Sequence, residues 1–265
     1  MKSKFLLLLS LSIFTLSCNS DDSSSENNGE TATSLPILMG NNWTYDVFNH
    51  ETANTPESFA EDKVFVANDT LINGVTFKKM KTLTAANGFF SGTLKNNGMR
   101  IDGNKIRISG SVNFSAGLPT SLGFTVSDFI VLKENAAIGE QLSSTNGSFT
   151  QEYDGIPLTF DYTLKSVADG SQNSLTSEGT TYSNITKTKI ILNLKITASF
   201  SGFPITIMPA QDVLTSTQHY SKNIGMVYNL TNITYSLINN LPVTLPIPQS
   251  GSQVQEEFLR VYDVN

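Results

Sequence analysis

The chain has 265 residues, 17 basic against 23 acidic, and a formal net charge of −6, with no Lys/Arg cluster or basic stripe. Nucleic-acid binding rests on neutralising phosphates with such clusters, so the composition disfavours it. Apolar residues make up 39% and are well spread, which argues against disorder; charged residues are 15%, so Ser, Thr and Asn carry much of the polarity, as suits an extracellular β-protein.

Residues 1–17 read as an export signal. Lys2 and Lys4 form a positive n-region, Phe5–Leu16 is a run of apolar and hydroxyl residues, and small Ser17 precedes Cys18. The run falls short of the ~20 apolar residues a spanning helix needs, and no second run of that length follows. Cys18 is the chain's single cysteine, so its thiol is free or modified rather than in an internal disulfide, and its place directly after the apolar run favours modification. Removing 1–17 takes two lysines, leaving 15 basic against 23 acidic residues and a net of −8. Residues 18–34 then form a Ser-, Asp- and Asn-rich tether, and 35–265 one β domain.

Within that domain strand signals recur and helix signals are nearly absent. Trp43–Phe48 comes first, with Trp43, Tyr45 and Val47 alternating onto one face. Residues 63–67 and 75–83 flank the turn dipeptide Asn73-Gly74. Phe89–Lys95 and Met99–Ile101 are read as strands around Asn96-Asn97-Gly98, and Ile106–Ser109 follows the turn Asp102-Gly103-Asn104. Later strands are 129–133, 147–153, 158–167 and a long segment 186–200, then 215–222, 226–228, 233–237 and 258–264. Asp169–Thr181, poor in apolar residues, is expected to be a long mobile loop. Turn-separated strands without crossover helices predict an antiparallel sheet that must curl, close or split. The fold class is therefore all-β: a single, strongly curved antiparallel sheet or half-open barrel, with a β-sandwich as the alternative.

Leu16-Ser17-Cys18 resembles the lipobox of bacterial lipoproteins, although leucine is commoner at Thr15's position. The resemblance implies that the Cys18 thiol carries diacylglycerol and that its new amine is acylated, a stable anchor because each buried methylene adds ~0.8 kcal/mol. Cys18-Asn19-Ser20-Asp21-Asp22 resembles the export signal of Bacteroidota surface lipoproteins, with Ser20, Asp21 and Asp22 as the signal residues. Gly40-Asn41-Asn42-Trp43-Thr44-Tyr45 resembles the G-x-x-W-x-Y opening of such lipoproteins, as do segments 73–78, 100–104 and 220–227. Their activity is mostly unassigned, and fold analogy does not transfer function. Asp69-Thr70-Leu71 fits the Bacteroidota O-glycosylation pattern, which makes Thr70 a candidate sugar acceptor; a turn leading into Asn73-Gly74 is the plainer reading.

Catalytic constellations are weak. His50 and His219 are the two histidines, and no G-x-S-x-G elbow accompanies them. No His/Cys cluster offers a transition-metal site, and Asp102-Gly103-Asn104 lacks the full calcium-loop pattern, so neither a metal nor another cofactor is expected. Glu61, Asp62, Asp128, Asp161, Glu256 and Glu257 are the acids from which a glycosidase-like pair would be drawn, yet Glu256 and Glu257 point to opposite faces of one strand. Three proline-bearing apolar segments stand out, at 116–124, 203–209 and 241–248, and prolines make them poor central strands. Leu118, Phe124, Phe203, Ile205, Ile207, Leu245 and Ile247 are the candidate lining of a hydrophobic cleft. The expectation is a non-enzymatic, lipid-anchored outer-membrane protein, displayed on the cell surface or alternatively on the periplasmic face. Its partners are the membrane through its anchor and a hydrophobic ligand or envelope protein; a surface glycan is the alternative, and hydrolysis the less favoured one.

Overall fold

A computed structural model describes residues 34–53, 56–114, 122–200, 203–239 and 248–265. Cys18, Ser20, Asp21, Asp22, Leu118, Leu245 and Ile247 lie outside these residues. The elements are β1 (Asn42–Asn49), β2 (Ser58–Ile72), β3 (Val75–Thr82), α1 (Phe89–Leu94), β4 (Gly98–Asp102), β5 (Lys105–Phe114), β6 (Leu122–Lys133), β7 (Gln141–Tyr153), β8 (Ile156–Ser177), β9 (Thr180–Phe200), β10 (Phe203–Ser221), β11 (Gly225–Ser236) and β12 (Ser250–Asp263). All twelve strands belong to one antiparallel sheet, in the order β6-β5-β4-β3-β2-β1-β12-β11-β10-β9-β8-β7. Two meanders, β1–β6 and β7–β12, are thus joined along β1–β12. The sheet curls until β6 and β7 face each other, and there it stays unsealed: Ile130 N–H donates to Ser143 Oγ at 2.9 Å, and the Ser166 hydroxyl donates to the Ile130 carbonyl. The curved-sheet or half-open-barrel expectation describes this architecture.

Alternation decides which side chains face inward. Trp43, Tyr45 and Val47 are buried to 1% exposure or less, as are Val64 and Val66 of β2 and Ile106 and Ile108 of β5. Phe90 of α1 fills the space between the walls, edge-on to Tyr45 at 5.6 Å and to Tyr220 at 6.2 Å between ring centres.

Two expectations need correction. Phe89–Lys95 is no strand; Phe89–Leu94 forms α1, held by side chains from distant strands rather than by its own propensity. Asp169–Thr181 is no loop, because β8 and β9 pair through it to a tight turn at Glu178-Gly179, both residues having positive φ. Its hydroxyl residues supply cross-strand contacts such as Thr176–Thr181, with oxygens 2.9 Å apart. Finally, the proline-bearing segment 203–209 is strand, the start of β10, yet not a central one: it pairs with β9 alone, because the ladder to β11 begins only at Leu214, so the expectation that prolines keep it from being a central strand stands.

Successive strands run oppositely, so the connections divide between two ends of the barrel. Residues 34–41 form a strap across one of them, here the tether end. Ser34 donates from N–H and hydroxyl to Glu134 Oε1 at 2.7 and 2.5 Å, Leu35 and Ile37 are buried, and Gly40 N–H bonds the Val66 carbonyl. Trp43 Nε1 donates to the Ile224 carbonyl at 2.6 Å under this strap. Gly225 has φ +122°, and a Cβ there would stand 2.8 Å from Trp43 Nε1 and 3.0 Å from Leu35 Cδ1. Gly225→Ala is therefore expected to cost about 2–4 kcal/mol from backbone strain and overpacking together, read as a lower urea midpoint at unchanged slope.

Candidate functional site

The opposite, far end carries α1 and an amide-rich mouth. The helix is six residues long and starts at Gly88, which has no side chain to cap it. Its N–H groups are met from the barrel wall instead. Asp62 of β2, 1% exposed, accepts from the Asn87 and Gly88 N–H groups at 2.7–3.0 Å and from Asn87 Nδ2 at 2.9 Å. Gln255 Oε1 of β12 accepts from Phe89 N–H at 2.7 Å. Glu257 Oε1 accepts from Phe90 N–H at 2.7 Å, and its Oε2 accepts from Ser91 N–H at 3.1 Å and Ser91 Oγ at 3.0 Å. Orphan donors of a helix start need such acceptors, and the two carboxylates also oppose the positive end of the helix. Beyond the helix, Asn97 donates to the Thr93 and Ser111 carbonyls at 2.6 and 2.7 Å, which stitches the C-terminal turn to β5.

Glu257 also anchors a chain of buried polar groups along the inner wall. Asn229 Nδ2 donates to Glu257 Oε1 at 2.9 Å, Ser216 Oγ donates to Asn229 Oδ1 at 2.7 Å, and Tyr220 Oη donates to Gln218 Oε1 at 2.7 Å. Burial pushes the Glu257 carboxyl above its ordinary range, against the pull of the hydrogen bonds it accepts from Phe90, Asn229 and Ser91. Burial likewise raises the Tyr45 and Tyr220 hydroxyls, with the nearby Glu257 charge adding to both shifts. Tyr45 Oη is buried without a hydrogen-bond partner among the described residues.

Among the described residues the space beneath α1 is nearly filled. Beneath α1 an apolar void between Phe90, Leu94, Met99, Phe129 and Leu164 leaves about 20 Å³ for a water-sized centre, room for about one molecule. A larger recess of about 280 Å³ lies outside the helix, walled by Asn87, Phe89, Lys95, Asn113, Gln253 and Gln255. Gln255 Nε2 is spent on Asn49 Oδ1 and the Asn87 carbonyl, at 2.8 and 3.1 Å, so it shapes the wall of the recess.

The described members of the candidate cleft do not converge on this space. Phe124 of β6 is buried, its ring 4.5 Å from that of Tyr162, and Ile207 is fully buried. Ile205 is half-buried, whereas Phe203, at the start of β10, is 73% exposed. Thr70 is half-buried on β2 opposite Phe77, two residues before Ile72 ends the strand. The candidate acids are distributed over the sheet. Asp62 and Glu257 hold α1; Glu61 pairs with Arg260, and Asp161 lies opposite Lys195 in the ladder. Asp128 accepts from Arg100 and Arg107, and the Arg100 hydrogen bond holds its carboxyl below the usual range. Glu256 faces outward between His50 Nε2 at 2.6 Å and the Tyr228 hydroxyl. His219 Nδ1 is buried without a hydrogen-bond partner among the described residues, and desolvation lowers that ring's pKa. Among the described residues no group of three or more His, Cys, Asp or Glu is placed to hold a metal ion.

The grip of Asp62, Gln255 and Glu257 on α1 escaped the sequence reading. Its signal was parity: Asp62 shares a face with Val64 and Val66, and Glu257 shares one with Leu259, so each acid stands at an inward position.

Neither the family models nor the curated proteins contain a match to this chain. Among solved structures it is similar to a presumed lipoprotein from Parabacteroides distasonis, at 11% identity and a TM-score of 0.41, covering 88% of this chain and 100% of that one.

Proposed function

We propose that the chain is a lipid-anchored protein of the outer membrane, displayed on the cell surface, and that it works as a non-enzymatic binding module for an envelope protein. One observation carries this reading. The strap fixes the start of the domain at the tether end, and the strand ends flanking the three proline-bearing apolar segments all lie at the far end: β5 and β6, β9 and β10, β11 and β12. A protein held at one end presents the other. The small void beneath α1 favours a protein partner over an apolar ligand held there, since ligand pockets are typically ~300–1,000 Å³ and this void is far below that.

A photo-crosslinking residue at exposed Phe203, in living cells, is expected to give one discrete adduct that the same probe at exposed Glu178, on the tether end, does not. Exchanging Phe203 and Ile205 for serine is expected to weaken capture of that species about tenfold, the scale of one lost apolar anchor. Equal adducts from both positions, or none at Phe203, would refute the reading. The amide-walled recess beside Phe89 supports glycan binding as a second reading, because amides and an aromatic edge suit sugar hydroxyls and ring faces. Glycan-array binding lost in Gln253→Ala would select it.

A further inference from the structure

The two edges of the sheet differ in kind. β6 carries two bulges, against Ile106–Arg107 and Ile108–Gly110, and Asp128 within the second has positive φ. It also lies against the inner face of the opposite edge. Ile130 spends its N–H on the Ser143 hydroxyl and its carbonyl on the Ser166 hydroxyl, two inward side chains that face each other across β7 and β8. Farther along, the Phe124 ring packs 4.5 Å from Tyr162 and 6.4 Å from Phe149. β7 therefore overhangs, and among the described residues no strand pairs with its free side. It is 13 residues long, keeps unbroken register with β8 from Ser143 to Tyr153, and contains no proline, lysine or arginine. Bulges, prolines and lysines are the means by which proteins blunt an edge, so β6 is blunted and β7 is not.

The free main-chain groups of β7 can be assigned. Asp154 and Gly155 both have positive φ, as in the two-residue turn whose flanking pair, here Tyr153 and Ile156, exchanges hydrogen bonds. Bonded and non-bonded pairs alternate along an antiparallel ladder. Thr145, Gly147, Phe149 and Gln151 thus bond β8, whereas Ser144, Asn146, Ser148, Thr150 and Glu152 turn their N–H and C=O groups outward. Pro157, opposite Glu152, fits this parity because it has no N–H to exchange. The side chains of the same five residues are exposed.

We infer that the free edge of β7 receives an extended segment of another envelope protein, which adds a strand to the twelve-stranded sheet. Main-chain bonds to the five outward residues supply the grip, and the side chains beside them supply preference. Ser144, Ser148 and Thr150 match serine or threonine across the pair, and Glu152, the one charged residue of β7, matches a lysine. A second copy of this chain is the competing occupant. Identical edges pair antiparallel about a two-fold axis, which turns the two tether ends to opposite sides, so copies anchored in one leaflet cannot join here. The choice of another protein over a second copy rests on the proposed anchor; the open edge itself does not.

The test uses the full chain as cells process it, in detergent micelles. The probe is a dye-labelled peptide of about nine residues, the span from Ser144 to Glu152, that alternates threonine and valine after an N-terminal lysine. Saturable binding is expected, with the amides of Asn146, Ser148 and Thr150 exchanging about tenfold more slowly in its presence. Ser148→Pro and Thr150→Pro remove outward donors only, so each is expected to keep the urea midpoint and to weaken the peptide about tenfold. Gln151→Pro removes a donor to β8 and is expected to lower the midpoint instead. Ser148→Lys blunts the edge without touching the backbone, and the same loss of binding is expected from it. No binding, or binding that both proline variants retain, overturns the inference, and so does a dimer of the free chain that Ser148→Pro breaks apart. The intact mass of the same preparation reads Cys18 acylation separately, so a failed anchor and a failed edge are distinct results.

Discussion

Glu257→Ala is expected to lower the unfolding free energy by about 3–5 kcal/mol, the usual cost of removing one partner from a buried charged network. Phe90 N–H, Ser91 N–H, Ser91 Oγ and Asn229 Nδ2 all donate to this fully buried carboxyl, and alanine leaves them facing a dry interior. Urea unfolding followed by far-UV circular dichroism measures the loss; a cost below about 1 kcal/mol would show that α1 is held by other means. The same residue gives a pH signature. Its folded pKa lies above the unfolded value, so between the two the folded state binds the extra proton. The stability this supplies is complete below the unfolded carboxyl range of about 4.3 and is lost as pH rises toward the folded pKa. Glu257→Gln cannot ionise, so the gap between it and the parent is expected to narrow as pH rises from about 4.5. A constant gap from pH 4 to 8 would assign the titration elsewhere.

Trp43→Ala carries a comparable penalty, about 3–5 kcal/mol, because it removes the largest buried side chain and leaves the Ile224 carbonyl unpaired. The cavity opens directly beneath the strap, so the effect is local as well as global: residues 34–41 are expected to become sensitive to limited proteolysis at temperatures where the parent resists. Trp43→Phe keeps an aromatic ring but not the Nε1–H donor, and about 1–2 kcal/mol of loss is expected. Equal protection of the strap in parent and Trp43→Ala would break the link between this indole and residues 34–41.

Much of the sheet was legible because its alternation is strict. Trp43, Tyr45 and Val47 share a face, and the turn dipeptide Asn73-Gly74 sits where the backbone takes positive φ. What was illegible depends on partners far away in sequence. The segment Phe89–Leu94 reads as a strand by aromatic content, and becomes a helix because Asp62, Gln255 and Glu257 satisfy its first N–H groups. Residues 169–181 look like a loop because loops and solvent-facing strands draw on the same hydroxyl residues; pairing with a partner strand, not composition, makes them sheet. Pro204 and Pro209 obey the proline rule, since β10 has a single strand neighbour there; what stayed hidden is that the segment is strand at all. The candidate site was legible least of all, since a polar residue at an inward position signals a buried contact without naming it.

The pairing of β1 with β12 has a consequence for biogenesis. The strand that comes last in sequence lies at the middle of the sheet, and the two edges are made by strands from the middle of the chain. Neither meander can seal its inner border during synthesis, because that border waits for residues 250–263, which also bring the carboxylate that clasps α1. Contacts spanning more than 160 residues close late and slowly. A polypeptide built this way stays unclosed until residues 250–263 have emerged, and loss of that strand removes the keystone rather than the fringe.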